Sequence, residues 1–341
     1  MLSLAYLSYT GEGLTIPNPA GVILQDMNTA IKKISFINNW KIVWGPVVYT
    51  VPGSMYQDNL MYIAQNTNDT TQYAIGIRGT NFLSDVDWLL EDFDVLRLMP
   101  WPVGATTPSP AGAGISESTS MGMAILLGMT DTVTTQQSFT SYLQSITKSK
   151  INICVTGHSK GGVLATTMAL YLLDNQNSGT KWDSSGASTV SCISFAGPTA
   201  GNAAFAAYSD AQFVSAFQNN PPPASCWDAS LGTNCDVVQC SYDVAPLVWA
   251  ADNICTTVNG SSVAGPITYL YGANINFKTG GITFPAEMTA FTDLVLSSLA
   301  GMVSAQGYTQ LNNAGGVLPG VFNGPVSTND TFADYLSAFM A

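Results

Sequence analysis

The sequence predicts an α/β chain with a mostly parallel central sheet and helices on both faces. Three observations carry this. Short apolar runs alternate with helix-patterned segments along most of the chain. One apolar run, "INICVTG" at 151–157, passes directly into a helical pattern at 162–174. No internal repeat, charge run or linker divides the 341 residues, so one domain over 1–341 is the simplest organisation.

The elements follow in order. "WKIVWGPVVYTV" (40–51), "MYIAQN" (61–66) and "QYAIGIRG" (72–79) read as strands, rich in β-branched and aromatic residues. An amphipathic segment follows at 82–95. A helix is predicted over 131–147, with Val133, Phe139, Tyr142, Leu143 and Ile146 on one side and Asp131 as its cap. In the helix at 162–174, Val163, Leu164, Met168, Leu172 and Leu173 form the apolar stripe, and "STVSCISFAG" (188–197) is the next strand. Residues 219–265 read as a loop-rich insertion around one more strand. Pro285 opens a last helix striped by Met288, Phe291, Leu294, Val295 and Leu299.

Composition narrows the function classes. Ten Lys and Arg against 22 Asp and Glu give a net charge of −12, and without a basic cluster nucleic acid is excluded as a partner. No apolar run reaches the ~18 residues of a membrane span, and "LSLAYLSYTGEG" after Met1 lacks the basic start and cleavage site of a leader. Cys154 and Cys192 lie in apolar strands and read as buried thiols; Cys226, Cys235, Cys240 and Cys255 crowd one loop-rich stretch and read as up to two disulfides. Their spacing and the lack of a nearby histidine argue against zinc. The bridged reading, with Asn-x-Ser/Thr acceptors at Asn68, Asn259 and Asn329, points to a secreted or extracellular protein.

Residues 157–161 form Gly-x-Ser-x-Gly, with Ser159 between Gly157 and Gly161. In a chain with 31 glycines the pattern alone is weak, and its place between a strand and a helix gives it meaning. A tight strand-to-helix turn lifts the serine out of the sheet, and the helix N-terminus aims amides at developing negative charge.

With that motif the chain resembles the class 3 lipase family of the α/β-hydrolase fold. Four stretches carry the resemblance, between about residues 60 and 250. "GHSKGG" (157–162) is similar to the nucleophile elbow, "AIGIRGTNFLSDVDWLLEDFDV" (74–95) to the strand ending in Arg-Gly-Ser/Thr and its helix, "SFAGPTAGNAAFA" (194–206) to the strand after the elbow, and "CSYDVAPLVW" (240–249) to the segment supplying the acid. The resemblance implies Ser159 as nucleophile and Asp243 as the acid that orients a histidine. It implies an oxyanion hole from Thr80, through amide and hydroxyl, and the amide of Lys160, with Arg78 bracing the loop. It also implies a lid bearing Phe82, Val86, Leu89 and Leu90 over the substrate pocket. On pattern alone that segment also reads as an ordinary half-buried helix, and Asp243, without the resemblance, as a strand-end turn residue. The resemblance implies a lipid or other ester substrate and contact with a lipid interface, with no cofactor and no metal.

One requirement is missing. Family triads run Ser, Asp, His, yet His158 is the only histidine in the chain. On the elbow, directly before Ser159, its side chain points away from the reacting hydroxyl, and Lys160 suffers the same geometry. The vacated place falls in "AGMVSAQGYTQLNNAGG" (300–316), at Ser304, Ala305 or Gln306, just before Tyr308 and Leu311. Three readings stay open: a catalytic-histidine variant of an ordinary esterase or lipase, a weak natural hydrolase, and a silent lipid- or ester-binding homologue. A structural or carbohydrate-binding surface protein is a further class, and it would need no pocket reaching Ser159.

Overall fold

The computed structural model describes residues 1–50, 52, 58–79, 97–101, 110–177, 181–183, 185–223, 232–240, 255–258, 261–264, 278–279, 282–283, 306–309, 311 and 317–318. Its elements begin with helices α1 (Leu2–Leu7) and α2 (Ala20–Lys33) and strands β1 (Trp40–Tyr49), β2 (Asn59–Asn66) and β3 (Gln72–Ile77). Then come β4 (Leu98–Pro100), β5 (Gly114–Ser116), α3 (Glu117–Leu127), α4 (Phe139–Ile146), β6 (Asn152–His158), α5 (Lys160–Asp174), β7 (Thr189–Phe195) and α6 (Ala203–Asn219). β8 (Cys235–Cys240), β9 (Cys255–Val258), β10 (Ser261–Ala264), β11 (Lys278–Thr279), β12 (Ile282–Thr283) and β13 (Val317–Leu318) complete the described set.

Seven strands form the main sheet in the order β1-β2-β3-β6-β7-β8-β13. β1, β2 and β3 make an antiparallel meander. From β3 onward every pairing is parallel: β3 with β6, β6 with β7, β7 with β8, and β8 with β13. Parallel strands need long crossovers, and helices fill them.

Side-chain alternation sorts the core into two layers. On β2, Leu60, Tyr62 and Ala64 join Ile23, Met27 and Ile31 of α2 and Leu4 and Leu7 of α1 on one face. Met61 and Ile63 point the other way, with Ile75, Ile77, Ile153 and Val155, into a core closed by α3, α5 and α6. The stripe of α2 repeats every four residues, and Lys32 and Lys33 in its last turn suit the negative helix end. α5 is buried on all sides from Lys160 to Leu172, so it lies inside the molecule. Small residues let it approach the sheet: a Cβ on Gly162 would stand 2.8 Å from the Phe195 carbonyl oxygen.

The structure corrects two expectations. The helix predicted over 131–147 is only α4, capped by Ser138, whose Oγ accepts the Ser141 amide. Asp131 instead closes a loop: its carboxylate accepts the Val133 amide at 2.9 Å, the Thr134 hydroxyl at 2.6 Å and the Thr135 hydroxyl at 2.8 Å. Burial works to raise its pKa, but the hydrogen bonds from Thr134, Thr135 and Val133 outweigh it and hold the carboxyl well below the usual range. The second correction concerns Cys235, a buried free thiol. Parallel pairing sets it opposite Cys192, where burial first, and then its hydrogen bond with Cys235, pushes the Cys192 thiol well up. Cys226 and the side chains of Cys240 and Cys255 lie outside the described residues. Cys154 and Cys192 are buried as expected. The helical patterns at 82–95 and 285–299 lie outside the described residues.

Candidate active site

β6 is buried along its whole length and ends at His158; the next residue, Ser159, turns the chain into α5. Ser159 has φ 56° and ψ −128°, a conformation that costs a non-glycine residue about 1–3 kcal/mol. Tight packing enforces it. A Cβ on Gly157 would lie 2.1 Å from the Gly161 carbonyl oxygen, and one on Gly161 would lie 2.4 Å from that of Ile77. Only glycine lets β6, β3 and the start of α5 approach so closely. The Ser159 amide donates to Phe195 O at 2.9 Å, while its side chain makes no capping bond to the helix. Lys160 opens α5, so its amide belongs to the first turn, where amides aim beyond the helix end. The Lys160 side chain is buried, and Nζ donates to Asp58 O at 3.2 Å.

His158 lies on the opposite face from α5, against the N-terminal segment. Its Nδ1 and the Tyr9 hydroxyl share a hydrogen bond of 2.9 Å, and the Tyr6 ring stands 4.6 Å away centroid to centroid. The imidazole is 1% exposed and stays behind the elbow, as the sequence suggested. Arg78, at the end of β3, is fully buried; Nε donates to Ser8 O at 2.7 Å and Nη2 to Thr10 O at 2.6 Å. The guanidinium therefore ties the residue after β3 to the same N-terminal segment. Composition gave no sign of Tyr6 and Tyr9, because nothing local links residue 9 to residue 158.

Between α5 and the loop after β7 sits a cavity of about 30 Å³, lined among others by Gly162, Val163, Thr166, Ser194, Thr199 and Leu311. That volume takes about one or two waters. Ser194 Oγ and Thr199 Oγ1 are buried there and make no hydrogen bond among the described residues. Leu311 reaches the cavity because its neighbours dock on the loop after β7. Thr309 N donates to Gly201 O at 2.9 Å, Ala203 N donates to Gly307 O at 3.1 Å, and Asn202 and Tyr308 form an isolated bridge. Asn202 is pinned in turn by capping α6 through the Phe205 amide at 3.0 Å.

Of the residues singled out from the sequence, Ser159 and Lys160 stand together at the elbow, with Gly79 of the Arg-Gly-Thr loop beside them. Gln306 is half-buried at the start of the docked segment. Thr80, Phe82, Val86, Leu89, Leu90, Asp243, Ser304 and Ala305 lie outside the described residues. No group of three or more His, Cys, Asp or Glu side chains among the described residues could hold a metal ion.

The family model for lipase (class 3) matches residues 74–220, from β3 through the elbow to the end of α6. The crystal structure of M37 lipase superposes with a TM-score of 0.74 at 27% identity, covering 99% of this chain and 92% of that one. Lip2 lipase from Yarrowia lipolytica covers 72% of each chain at 18% identity and TM-score 0.47. Lipase II from Rhizopus niveus covers 72% of this chain and 74% of its own at 14% identity and TM-score 0.43. No curated protein sequence matches the chain. With a mostly parallel sheet, a strained serine between β6 and α5, and the family match spanning that turn, the chain has the α/β-hydrolase fold and is similar to the class 3 lipase family over residues 74–220.

Proposed function

We propose that this protein is a serine hydrolase of carboxylic esters, lipid acyl esters above all, working through an acyl-enzyme at Ser159. The observation that carries the reading is the Ser159 backbone, held at positive φ with its hydroxyl uninvolved in helix capping. In the proposed reaction Ser159 Oγ bonds to the ester carbonyl carbon as its proton passes to a base. The tetrahedral oxyanion is held by the Lys160 amide and by Thr80. The C–O bond to the alcohol then breaks, the alkoxide takes the proton, and water hydrolyses the acyl-serine. Asp243 orients the base, and Phe82, Val86, Leu89 and Leu90 cover the pocket as a lid. No cofactor or metal enters these steps.

The sequence holds no histidine after Asp243, and His158 is engaged with Tyr9 behind the elbow. A triad lacking its base keeps roughly 10³–10⁴-fold acceleration over water. The docking of Gly307 and Thr309 on the β7–α6 loop supports 304–306 as the vacated place. The same missing base favours a second reading, a silent lipid- or ester-binding homologue.

Hydrolysis of p-nitrophenyl esters separates the two. It is measured for the chain, for Ser159→Ala, and for Ser304→His, Ala305→His and Gln306→His. Recovery of about 10²-fold or more by one restored histidine, abolished by Ser159→Ala, supports the hydrolase. No turnover by any variant, with ester analogues still bound, supports the binding protein.

One domain over 1–341 with a loop-rich insertion at about 219–265 belongs to the same proposal, since a single sheet draws strands from residue 40 to residue 318. So does a secreted or extracellular location. Asn68 is exposed in the β2–β3 turn, where an acceptor must be, and among the described residues no helix is long and apolar enough to cross a membrane.

A further inference from the structure

Two walls of the proposed oxyanion hole come from distant parts of the chain. The Lys160 amide follows the elbow, and Thr80 follows β3. Tyr9 touches the base of both. Its hydroxyl bonds His158 Nδ1 at 2.9 Å and approaches His158 O at 3.4 Å, on the residue before the nucleophile. The same oxygen lies against Gly79, the residue before Thr80: a Cβ there would stand 2.0 Å from Tyr9 Oη and 2.4 Å from His158 O. Gly79, Tyr9 and His158 thus meet at one point, and that contact dictates glycine at 79.

The turn that carries Tyr9 is itself fixed. The Arg78 guanidinium grips the carbonyls of Ser8 and Thr10 on either side of it. Ser8 Oγ and Thr10 Oγ1 tie back to Ala5 O and Leu7 O at 2.6 and 2.8 Å, and Tyr62 Oη holds Leu4 O at 2.5 Å. Residues 4–10 form a clip closed by Arg78 on the β3 side and by the Tyr9–His158 bond on the β6 side. Oxyanion donors act within a few tenths of an ångström, and a shift of about 1 Å costs about 10²-fold in rate.

We propose that Tyr9 is a positioning residue that sets the spacing between Gly79, just after β3, and the Ser159 elbow that carries the Lys160 amide. It acts through His158 and Gly79 without touching substrate, and the proposal rests on the reading of Ser159 as nucleophile. The lone histidine of the chain then serves the site from behind, as the far end of the clip.

The test compares the full chain with Tyr9→Phe, which keeps the ring and removes the hydroxyl. Tyr208→Phe is the control; it loses a comparable bond of 2.8 Å to Asp174, away from the elbow. Labelling of Ser159 by an alkyl fluorophosphonate is followed to saturation, and amide hydrogen exchange is followed in segments 74–79 and 157–162. For Tyr9→Phe the expected result is a fall of about tenfold in the saturated labelling rate with unchanged half-saturation, and faster exchange in both segments together. Tyr208→Phe should change neither. Labelling by Tyr9→Phe at the full chain's rate would overturn the proposal. If the full chain does not label at all, the nucleophile reading fails and exchange alone decides. A joint rise in both segments still supports the clip, and a rise in one or neither overturns it.

Discussion

Gly157→Ala is the sharpest test of the elbow. The added Cβ would sit 2.1 Å from the Gly161 carbonyl oxygen and 2.9 Å from that of Ile77, and both obstacles are backbone. An ordinary contact there is at least about 3.2 Å, so α5 must retreat from β6 by roughly 1 Å. Overpacking of this kind costs about 1–3 kcal/mol, and the upper end applies because no rotamer change relieves it. The retreat carries the Lys160 amide with it, and a misplacement of that size lowers the rate of chemistry at Ser159 by about 10²-fold. Urea unfolding followed by tryptophan fluorescence reads the first effect, as a lower midpoint at constant slope. Fluorophosphonate labelling of Ser159 reads the second. A variant with the original midpoint and the original labelling rate would refute the close approach of β6 and α5.

Other outcomes follow from the same packing. Gly21 in α2 has open space where a Cβ would go, so Gly21→Ala should stabilise the fold by roughly 0.5–1 kcal/mol, seen as a higher urea midpoint. The Asp131 carboxyl has its pKa lowered in the fold, so it contributes stability above its ordinary value of about 4 and loses it as pH falls below that. Asp131→Asn should therefore flatten the acid limb of a stability-against-pH curve below about pH 4 and lower stability at pH 7. Leu164, buried in α5 and packed against Gly122 of α3, should cost about 2–5 kcal/mol as Leu164→Ala.

How much of this could be read in advance depended on how local the cause was. The elbow was legible because its glycines, its serine and the strand–helix change fall within a dozen residues. Strands β1, β2, β3, β6 and β7 were legible because β-branched and aromatic runs are a local signal, whereas the short β4 and β5 carry no such run. Asp131 misled because an acidic residue before a helical pattern resembles a cap, while Thr134 and Thr135, three and four residues on, could satisfy it as a loop. Cys235 misled because its surroundings in sequence are polar and loop-like, whereas its surroundings in space are Cys192 and the core. The caps at Ser116, Ser138 and Asn202 were visible as residue types, but only α4 of the helices that follow lay within a predicted pattern. Tyr9 was illegible in principle, since its partner is 149 residues away and a tyrosine has no motif until a fold brings one to it.

The solitary His158 has a practical consequence. A protein with one imidazole gives one pair of ring-proton signals in a magnetic resonance spectrum, with no assignment to make. Here that probe is bonded to Tyr9, faces Tyr6 and belongs to the residue covalently joined to Ser159. Any ester analogue, inhibitor or lipid surface that displaces the elbow will move those signals, and one that binds elsewhere will not. The feature that leaves the proposed triad without a histidine base thus supplies a built-in reporter at the elbow.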